Sequence, residues 1–394
     1  MTVLNLNRRL FLGGSAALTG AVAAGAALPA RVASASVSHV MGPAYGPEPG
    51  VAKLNANENP YGPSDSALVA MYEASKKGAY YVGETVPMLK SMIAERHNLT
   101  TDHIAISAGS SGVLTYLATA KLKEGKILGT DLFWDTTSKM AARQGGEIKR
   151  LPKTADLGID LDAMYAAITD DVSLVHICNP NNPQGTVLDG DTLRAFCRKA
   201  SKKATVLVDE AYNELTDKPD YNSMVDLVRE GHNVVVARTF SKIYGLAGMR
   251  IGYMMAAPET IELLSTYGLG DYAMNQAGVA AAVASYNDFP FLEMSKSRVV
   301  EAREMVIDAV SSAGLKALPS ATNFVFVDLG KLNAETFRQK MAERNVLIRG
   351  IYRDYTNWSR VSMGLLPDVE KYVAALPAAL DATRKATLND TAKA

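Results

Sequence analysis

The stretch Thr239–Tyr253, TFSKIYGLAGMRIGY, follows the apolar run Val234-Val235-Val236-Ala237. A run of β-branched residues reads as a buried strand, and Gly245, Gly248 and Gly252 then let the backbone turn tightly and approach a ligand closely. Lys242 sits at the mouth of that turn, flanked by the hydroxyls of Thr239 and Ser241, with Arg250 eight residues on. An amine nucleophile, two hydroxyl donors and a fixed positive charge therefore share one segment. A phosphorylated aldehyde requires that set: arginine and hydroxyls for the phosphate, and a lysine to condense with the carbonyl.

Other apolar runs end in polar residues that serve the same chemistry. Thr205 to Val208 reads as a strand ending in Asp209-Glu210-Ala211-Tyr212. A carboxylate there can pair with a protonated pyridine nitrogen, and that charge makes the ring an electron sink. Asp209 lies 33 residues before Lys242, and Tyr212 can share a proton with the ring oxygen or the imine nitrogen. Ile104 to Ser107 is a short strand whose continuation, Ala108-Gly109-Ser110-Ser111-Gly112, opens a helix from Val113 to Leu122. Free N–H groups and the positive dipole end make such a start an anion site, so Ser110 and Ser111 are expected to hold a phosphate with Arg250. Ser173 to Ile177 is a further strand, ending in the rigid loop Cys178-Asn179-Pro180-Asn181-Asn182-Pro183-Gln184-Gly185. Open α/β sheets bind ligands at such strand ends. In Ser359-Arg360-Val361-Ser362-Met363-Gly364 the period of two sets Arg360 on the face opposite Val361 and Met363, and a bidentate guanidinium suits an α-carboxylate. Arg349 and Arg353 compete for that role.

The motif SK-x-x-GLAG-x-R-x-GY resembles the lysine motif of fold-type I pyridoxal-phosphate (PLP) aminotransferases, in particular the histidinol-phosphate aminotransferase-like branch. Similar motifs in the same order extend the resemblance from about Leu54 to about Gly364. It implies that Asn182 donates to the cofactor's ring oxygen and that SRVSMG is the substrate-carboxylate strand. It places an aromatic ring against the pyridine near Phe133-Trp134-Asp135, for which Trp134 is the choice; the family often has a tyrosine three positions later, where this chain has Thr137. LNANENPYGPS would lie over the site, making Tyr61 a lid contact with substrate. Tyr81, with Tyr80 as its rival, would cross a homodimer interface to the partner's cofactor phosphate.

The resemblance also implies the fold: an α/β protein with a three-layer α/β/α large domain around a mainly parallel sheet, residues 71–287, and a smaller α+β domain, residues 288–385. An arm of residues 36–70 precedes them and a polar, frayed tail of residues 386–394 follows. The second unit is read as a helix from Phe289 to Ala313, a strand from Asn323 to Val327, a helix from Ala334 to Asn345, strands from Val346 to Arg349 and Ser359 to Met363, and a helix beginning near Pro367.

With 394 residues, 48% hydrophobic and 21% charged, and 41 basic side chains against 41 acidic, the composition is that of a globular protein. No basic face argues for nucleic acid, so the expected partners are small molecules: an amino acid and a 2-oxo acid. Asn7-Arg8-Arg9-Leu10-Phe11-Leu12 opens an Ala/Gly-rich run that ends at Ala33-Ser34-Ala35. Paired arginines, a modest apolar core and an A-x-A site read as a twin-arginine export signal, residues 1–35, predicting a periplasmic protein that meets a membrane only during export; the alternative is an uncleaved membrane anchor, which a run so rich in Ala and Gly would fill poorly. Cleavage would remove three arginines and no acid, leaving 38 basic against 41 acidic side chains, a net of −3. Cys178 and Cys197 read as small core residues rather than a disulfide, and the five histidines are scattered singly, without metal-site spacing.

The expected reaction is transamination through Lys242. The alternatives are a decarboxylase or carbon–sulfur lyase of the same fold, or an exported relative that binds without turnover. Histidinol phosphate is a cytoplasmic intermediate, so an export signal favours a donor met outside the cytoplasm, such as an aromatic amino acid or a modified metabolite.

Overall fold

In this computed structural model residues 46–391 are described, with side chains to residue 388, and all the elements below belong to a unit beginning at Gly50. The expected export signal lies outside the described residues, as do the first ten residues of the arm and the last three of the tail. The strands in chain order are β1 (Ala52–Lys53), β2 (Ile104–Ala108), β3 (Lys126–Thr130), β4 (Ile148–Leu151), β5 (Val172–Cys178) and β6 (Thr205–Asp209). They continue with β7 (Val234–Thr239), β8 (Ile251–Met255), β9 (Lys316–Ala317), β10 (Phe324–Asp328), β11 (Val346–Leu347) and β12 (Trp358–Ser362).

Seven of them form one sheet in the order β2-β8-β7-β6-β5-β3-β4. Only β8 runs against its neighbours, β2 and β7, while β7, β6, β5, β3 and β4 pair in parallel. All six residues of β7 and all five of β6 are buried, as expected where helices cover both faces of a parallel sheet. Alternation divides those residues between two cores. Leu207, Val235, Ala237 and Met254 join Val113, Leu114 and Leu117 of the helix Ser110–Leu122 on one side. Val206, Val208, Val234, Val236 and Met255 join Leu193 and Phe196 of the helix Gly190–Ala200 on the other.

The C-terminal part holds a second, antiparallel sheet, β12-β10-β9, and the parallel pair β1-β11. Through β1 the arm joins the last third of the chain, and Leu54 continues that link by accepting from the Ser362 N–H at 2.9 Å. Ser64 caps the helix Asp65–Ser75 by accepting from the Ala67 N–H at 3.3 Å, and Asn333 caps Ala334–Ala342 by accepting from Glu335 and Thr336.

Several expected boundaries shift. The helix from Ala334 ends at Ala342, and the strand expected from Val346 to Arg349 is two residues long, with Arg349 reduced to an isolated bridge to Arg360. The last helix, Leu366–Thr391, continues through most of the segment expected to be a frayed tail. Sequence reading also passed over the helix Gln276–Tyr286, which packs along Asp65–Ser75. It is rich in Ala and carries no polar stripe, so periodicity gave no signal; burial of Val279, Ala281, Ala282 and Tyr286 stabilises it. Among the described residues no helix is long and apolar enough to cross a membrane, and no group of His, Cys, Asp or Glu could hold a metal ion. Cys178 and Cys197 are both buried and free.

Candidate active site

The carboxyl ends of β2, β3, β5, β6 and β7 open onto one cavity of about 650 Å³. Ser110 and Ser111 enter it after β2, Trp134 after β3, Asn182 after β5, Asp209 and Tyr212 from the end of β6, and Thr239, Ser241 and Lys242 from the end of β7. Arg250 enters just before β8, Ala56, Asn57 and Glu58 come from the arm, and Arg349, Tyr352, Arg353 and Arg360 come from the C-terminal part. A sheet whose strands mostly run one way gathers its loops at one edge, which is why residues so far apart in sequence meet there.

Lys242 donates from Nζ to the backbone oxygen of Asn57 at 2.9 Å and faces the Tyr212 ring at 5.3 Å. Burial lowers its amine to about 8, and the Arg360 charge adds to that effect against the opposing pull of Asp209. Asp209 is buried and accepts one hydrogen bond from the Ala211 N–H at 3.2 Å. Burial raises its carboxyl to about 7, with the Ala211 N–H and Lys242 pulling the other way. The Tyr212 hydroxyl accepts from Asn57 Nδ2 at 2.8 Å and from Asn182 Nδ2 at 3.3 Å, and burial pushes the phenol up.

A second group of donors surrounds the start of the helix Ser110–Leu122. Arg250 donates from Nη2 to Ser111 Oγ at 3.2 Å and from Nη1 to Ser241 Oγ at 3.3 Å, while Thr239 Oγ1 donates to Ser241 Oγ at 2.9 Å. Two glycines make the approach possible. Gly109 has φ +73°, and a Cβ there would lie 2.1 Å from Arg250 Nη2. At Gly252 a Cβ would lie 2.0 Å from the Ser110 nitrogen, so any side chain would push β8 away from the helix start.

Arg360 is almost fully buried, donating from Nη1 to Asn182 Oδ1 at 2.9 Å and from Nη2 to the Asn55 oxygen at 3.2 Å. Its buried Nε has no hydrogen-bond partner among the described residues. Arg360 also lines the cavity, where a buried guanidinium is suited to an incoming carboxylate.

Trp134 lines the cavity, whereas Thr137 is buried and does not. Two expected residues are not brought to the cavity of this chain. The Tyr61 hydroxyl accepts from the Leu366 N–H at 3.2 Å, which fastens that ring to the last helix instead of placing it over the site, so the expected lid contact is corrected. Tyr81 is 79% exposed and stands edge-on to Tyr272 at 5.5 Å. Sequence reading overlooked Asn57, which bonds Lys242 and Tyr212 and accepts from the Ser362 hydroxyl at 2.6 Å. It lies inside the quoted segment LNANENPYGPS, but nothing in the letters separates it from Asn55 and Asn59.

The residues fit PLP. Arg250, Ser111, Ser241 and the helix start form an anion cradle, Asp209 is a desolvated acid, and Lys242 is an amine that burial keeps ready to lose its proton. The set defines an enzyme that holds this cofactor through a lysine. The chain belongs to the class I and II aminotransferases, whose family model matches residues 49–376. It is 35% identical over 340 residues to histidinol-phosphate aminotransferase 1 of Cupriavidus pinatubonensis, covering 84% of this chain and 89% of that one. It is 36% identical over 312 residues to an aromatic amino acid aminotransferase of Mycobacteroides abscessus, covering 78% and 88%. The crystal structure of histidinol-phosphate aminotransferase from Sinorhizobium meliloti in complex with pyridoxal-5'-phosphate superposes with a TM-score of 0.78 at 29% identity, covering 84% of this chain and 91% of that one. The protein is thus a PLP-dependent aminotransferase.

The lowered amine sets a pH dependence. Below about 8 Lys242 is an ammonium and cannot attack a carbonyl; above it the neutral amine predominates, whereas an exposed lysine would need a pH near its ordinary 10.5. Uptake of PLP by cofactor-free protein, trapped by borohydride and followed at early times, is expected to rise with pH and level off above about 8. A rise that continues to the ordinary lysine range would contradict it.

Proposed function

We propose that this chain is an exported, homodimeric aminotransferase that takes its amino group from an aromatic L-amino acid and passes it to a 2-oxo acid. What carries the reading is the convergence of Lys242, Asp209, Tyr212, Asn182, Arg250 and Arg360 on one cavity. PLP, once bound, supplies an electron sink for the negative charge left at the donor's Cα. Lys242 would hold the cofactor, and its amine, once released, would take the proton from the donor's Cα. Asp209 would pair with the ring nitrogen, Tyr212 and Asn182 would donate to the ring oxygen, and Trp134 would pack against the ring. Arg250, Ser110, Ser111, Thr239 and Ser241 would bind the phosphate. Arg360 would take the donor's carboxylate and so orient the donor's Cα–H bond toward Lys242.

Phe133, Trp134 and Tyr352 line the cavity and favour an aromatic side chain, in keeping with relatives named for aromatic amino acids. A second reading rests on Arg349 and Arg353, which line the same cavity and would suit a phosphate-bearing donor such as histidinol phosphate, the substrate named for other relatives. The homodimer is supported by the exposed Tyr80, Tyr81, Leu269 and Tyr272. Such a surface suits an interface across which Tyr81 would reach the partner's phosphate cradle. Export rests on the paired arginines at Arg8 and Arg9 and on the small-residue site at Ala33-Ser34-Ala35.

Mature protein mixed with single amino donors and no oxo acid is expected to accumulate the aminated cofactor, fastest with aromatic L-amino acids, and Lys242→Ala is expected to lower turnover roughly 10³-fold or more. A clear preference for histidinol phosphate in the same panel would replace the first reading with the second. Inactive Lys242→Ala subunits mixed with Tyr81→Ala subunits should regain activity by forming dimers with one intact site; no recovery after subunit exchange would remove Tyr81 from the shared site. Arg8→Lys/Arg9→Lys protein should stay in the cytoplasm on cell fractionation, while the unaltered chain appears in the periplasm.

A further inference from the structure

Behind the cavity lies a buried ion pair that the reaction does not use. Glu210 directly follows Asp209, and Arg238 directly precedes Thr239; neither lines the cavity. Arg238 donates to Glu210 Oε2 from Nη2 at 2.9 Å and from Nε at 3.1 Å. Ser223 Oγ donates to the same oxygen at 2.9 Å, and the Met224 N–H donates to Oε1 at 2.7 Å. Glu210 is 0% exposed and Arg238 6%, and the Glu210 N–H closes the ladder on the Ala237 oxygen at 2.8 Å. The pair therefore joins the ends of β6 and β7, the strands that present Asp209 and Lys242.

We propose that Arg238 is a positioning residue for Asp209: its guanidinium pairs with Glu210 and so weakens the second negative charge that acts on the acid proposed to face the cofactor ring. The inference rests on the ring-nitrogen role proposed for Asp209. Lys242, Tyr212 and Cys178 face Asp209 on the cavity side, and Glu210 acts on it from behind. Around the pair stand Glu214, 3.7 Å from Arg238 Nη1, the charge of Arg96, the phenols of Tyr253 and Tyr286, Cys197, and His97, which burial holds uncharged at neutral pH. Burial opposes the Arg238 charge, and Glu210, Tyr253 and Glu214 together more than offset it. Without Arg238, Glu210 would face Asp209 as an uncompensated anion, and an acid already pushed up to about 7 would need still higher pH to ionise. Without the Glu210 charge, Asp209 would ionise at lower pH.

The experiment measures the affinity of cofactor-free protein for PLP as a function of pH, alongside cooperative thermal melting. In the unaltered chain, affinity should rise in an acid-side step as Asp209 ionises, before the rise at about 8 that belongs to Lys242, and Asp209→Asn should lose that acid-side step while keeping the Lys242 rise. Arg238→Met should move the step alkaline by roughly one pH unit, Glu210→Gln should move it toward acid, and Glu210→Gln/Arg238→Met should return it close to its original place. A merely structural role would weaken binding without moving the step. Shifts in one common direction, or no shift in either single variant, would overturn the proposal. Should Arg238→Met fail to fold, Glu210→Gln decides: an acid shift supports the inference, and an unmoved or alkaline step overturns it. If Asp209→Asn keeps the step, the ring-nitrogen role itself is wrong and this inference falls with it, an outcome distinct from failure of the Arg238 variants alone.

Discussion

Asn57 ties together three parts of the fold that sequence keeps far apart. Its backbone oxygen accepts from Lys242 in the loop after β7, its Nδ2 donates to Tyr212 after β6, and its Oδ1 accepts from Ser362 at the end of β12. Each such bond contributes only about 1 kcal/mol net, but a buried polar group left without its partner costs about 1–3 kcal/mol. Removing its side chain would strand the Ser362 hydroxyl and leave the Tyr212 phenol with Asn182 alone, while the backbone oxygen that holds Lys242 depends on the arm keeping its path. The cavity therefore depends on the arm being seated, and the arm is seated by the pairing of β1 with β11 and by the Ser362 N–H to Leu54.

Strand alternation places the chemistry on one side of the large sheet and its support on the other. Leu207 and Asp209 share one face of β6, as Val235, Ala237 and Thr239 share one face of β7. The residues between them, Val206, Val208, Val234 and Val236, pack into the opposite core, where Arg238 also falls in register. A charge on that far side is tolerated only because Glu210 meets it, since an unpaired guanidinium in an apolar layer would be far more costly than a valine. Desolvation acts throughout, lowering Lys242, raising Asp209 and leaving Arg360 short of one partner.

The parts of the site legible in the sequence were those carried by contiguous motifs at strand ends. Thr239 to Arg250, Asp209 to Tyr212, Asn182 and the helix start at Ser110 are each fixed by a few local residues, and all of them reach the cavity. What could not be read depended on partners remote in sequence. Tyr61 was a lid contact only through the family resemblance of its segment, yet its hydroxyl accepts from the N–H of Leu366, 305 residues later. Asn57 was hidden among neighbouring asparagines because only its contacts with Lys242, Tyr212 and Ser362, all remote in sequence, single it out. The helix Gln276–Tyr286 lacks an amphipathic stripe, and the end of the last helix carries polar residues that continue a helix as readily as they fray one. For the aromatic residue near Phe133 the choice was Trp134, against a family tyrosine position that is Thr137 here; Phe133 and Trp134 both line the cavity, and Thr137 is buried away from it.

The bond between Asn57 and Ser362 also spans 305 positions. A ribosome releases the chain from its amino end, so the arm emerges long before the strand that must hold it. Until β12 has cleared the exit tunnel, Lys242 has no seated arm above it and the ligand-binding edge of the sheet lies open to water. Vitamin capture must therefore wait for the whole polypeptide, and the arm must be kept from rival pairings throughout synthesis. Closing so long a loop adds little entropy beyond that of a moderately long one, because the cost grows only with the logarithm of length, but it delays the moment at which the closure is repaid.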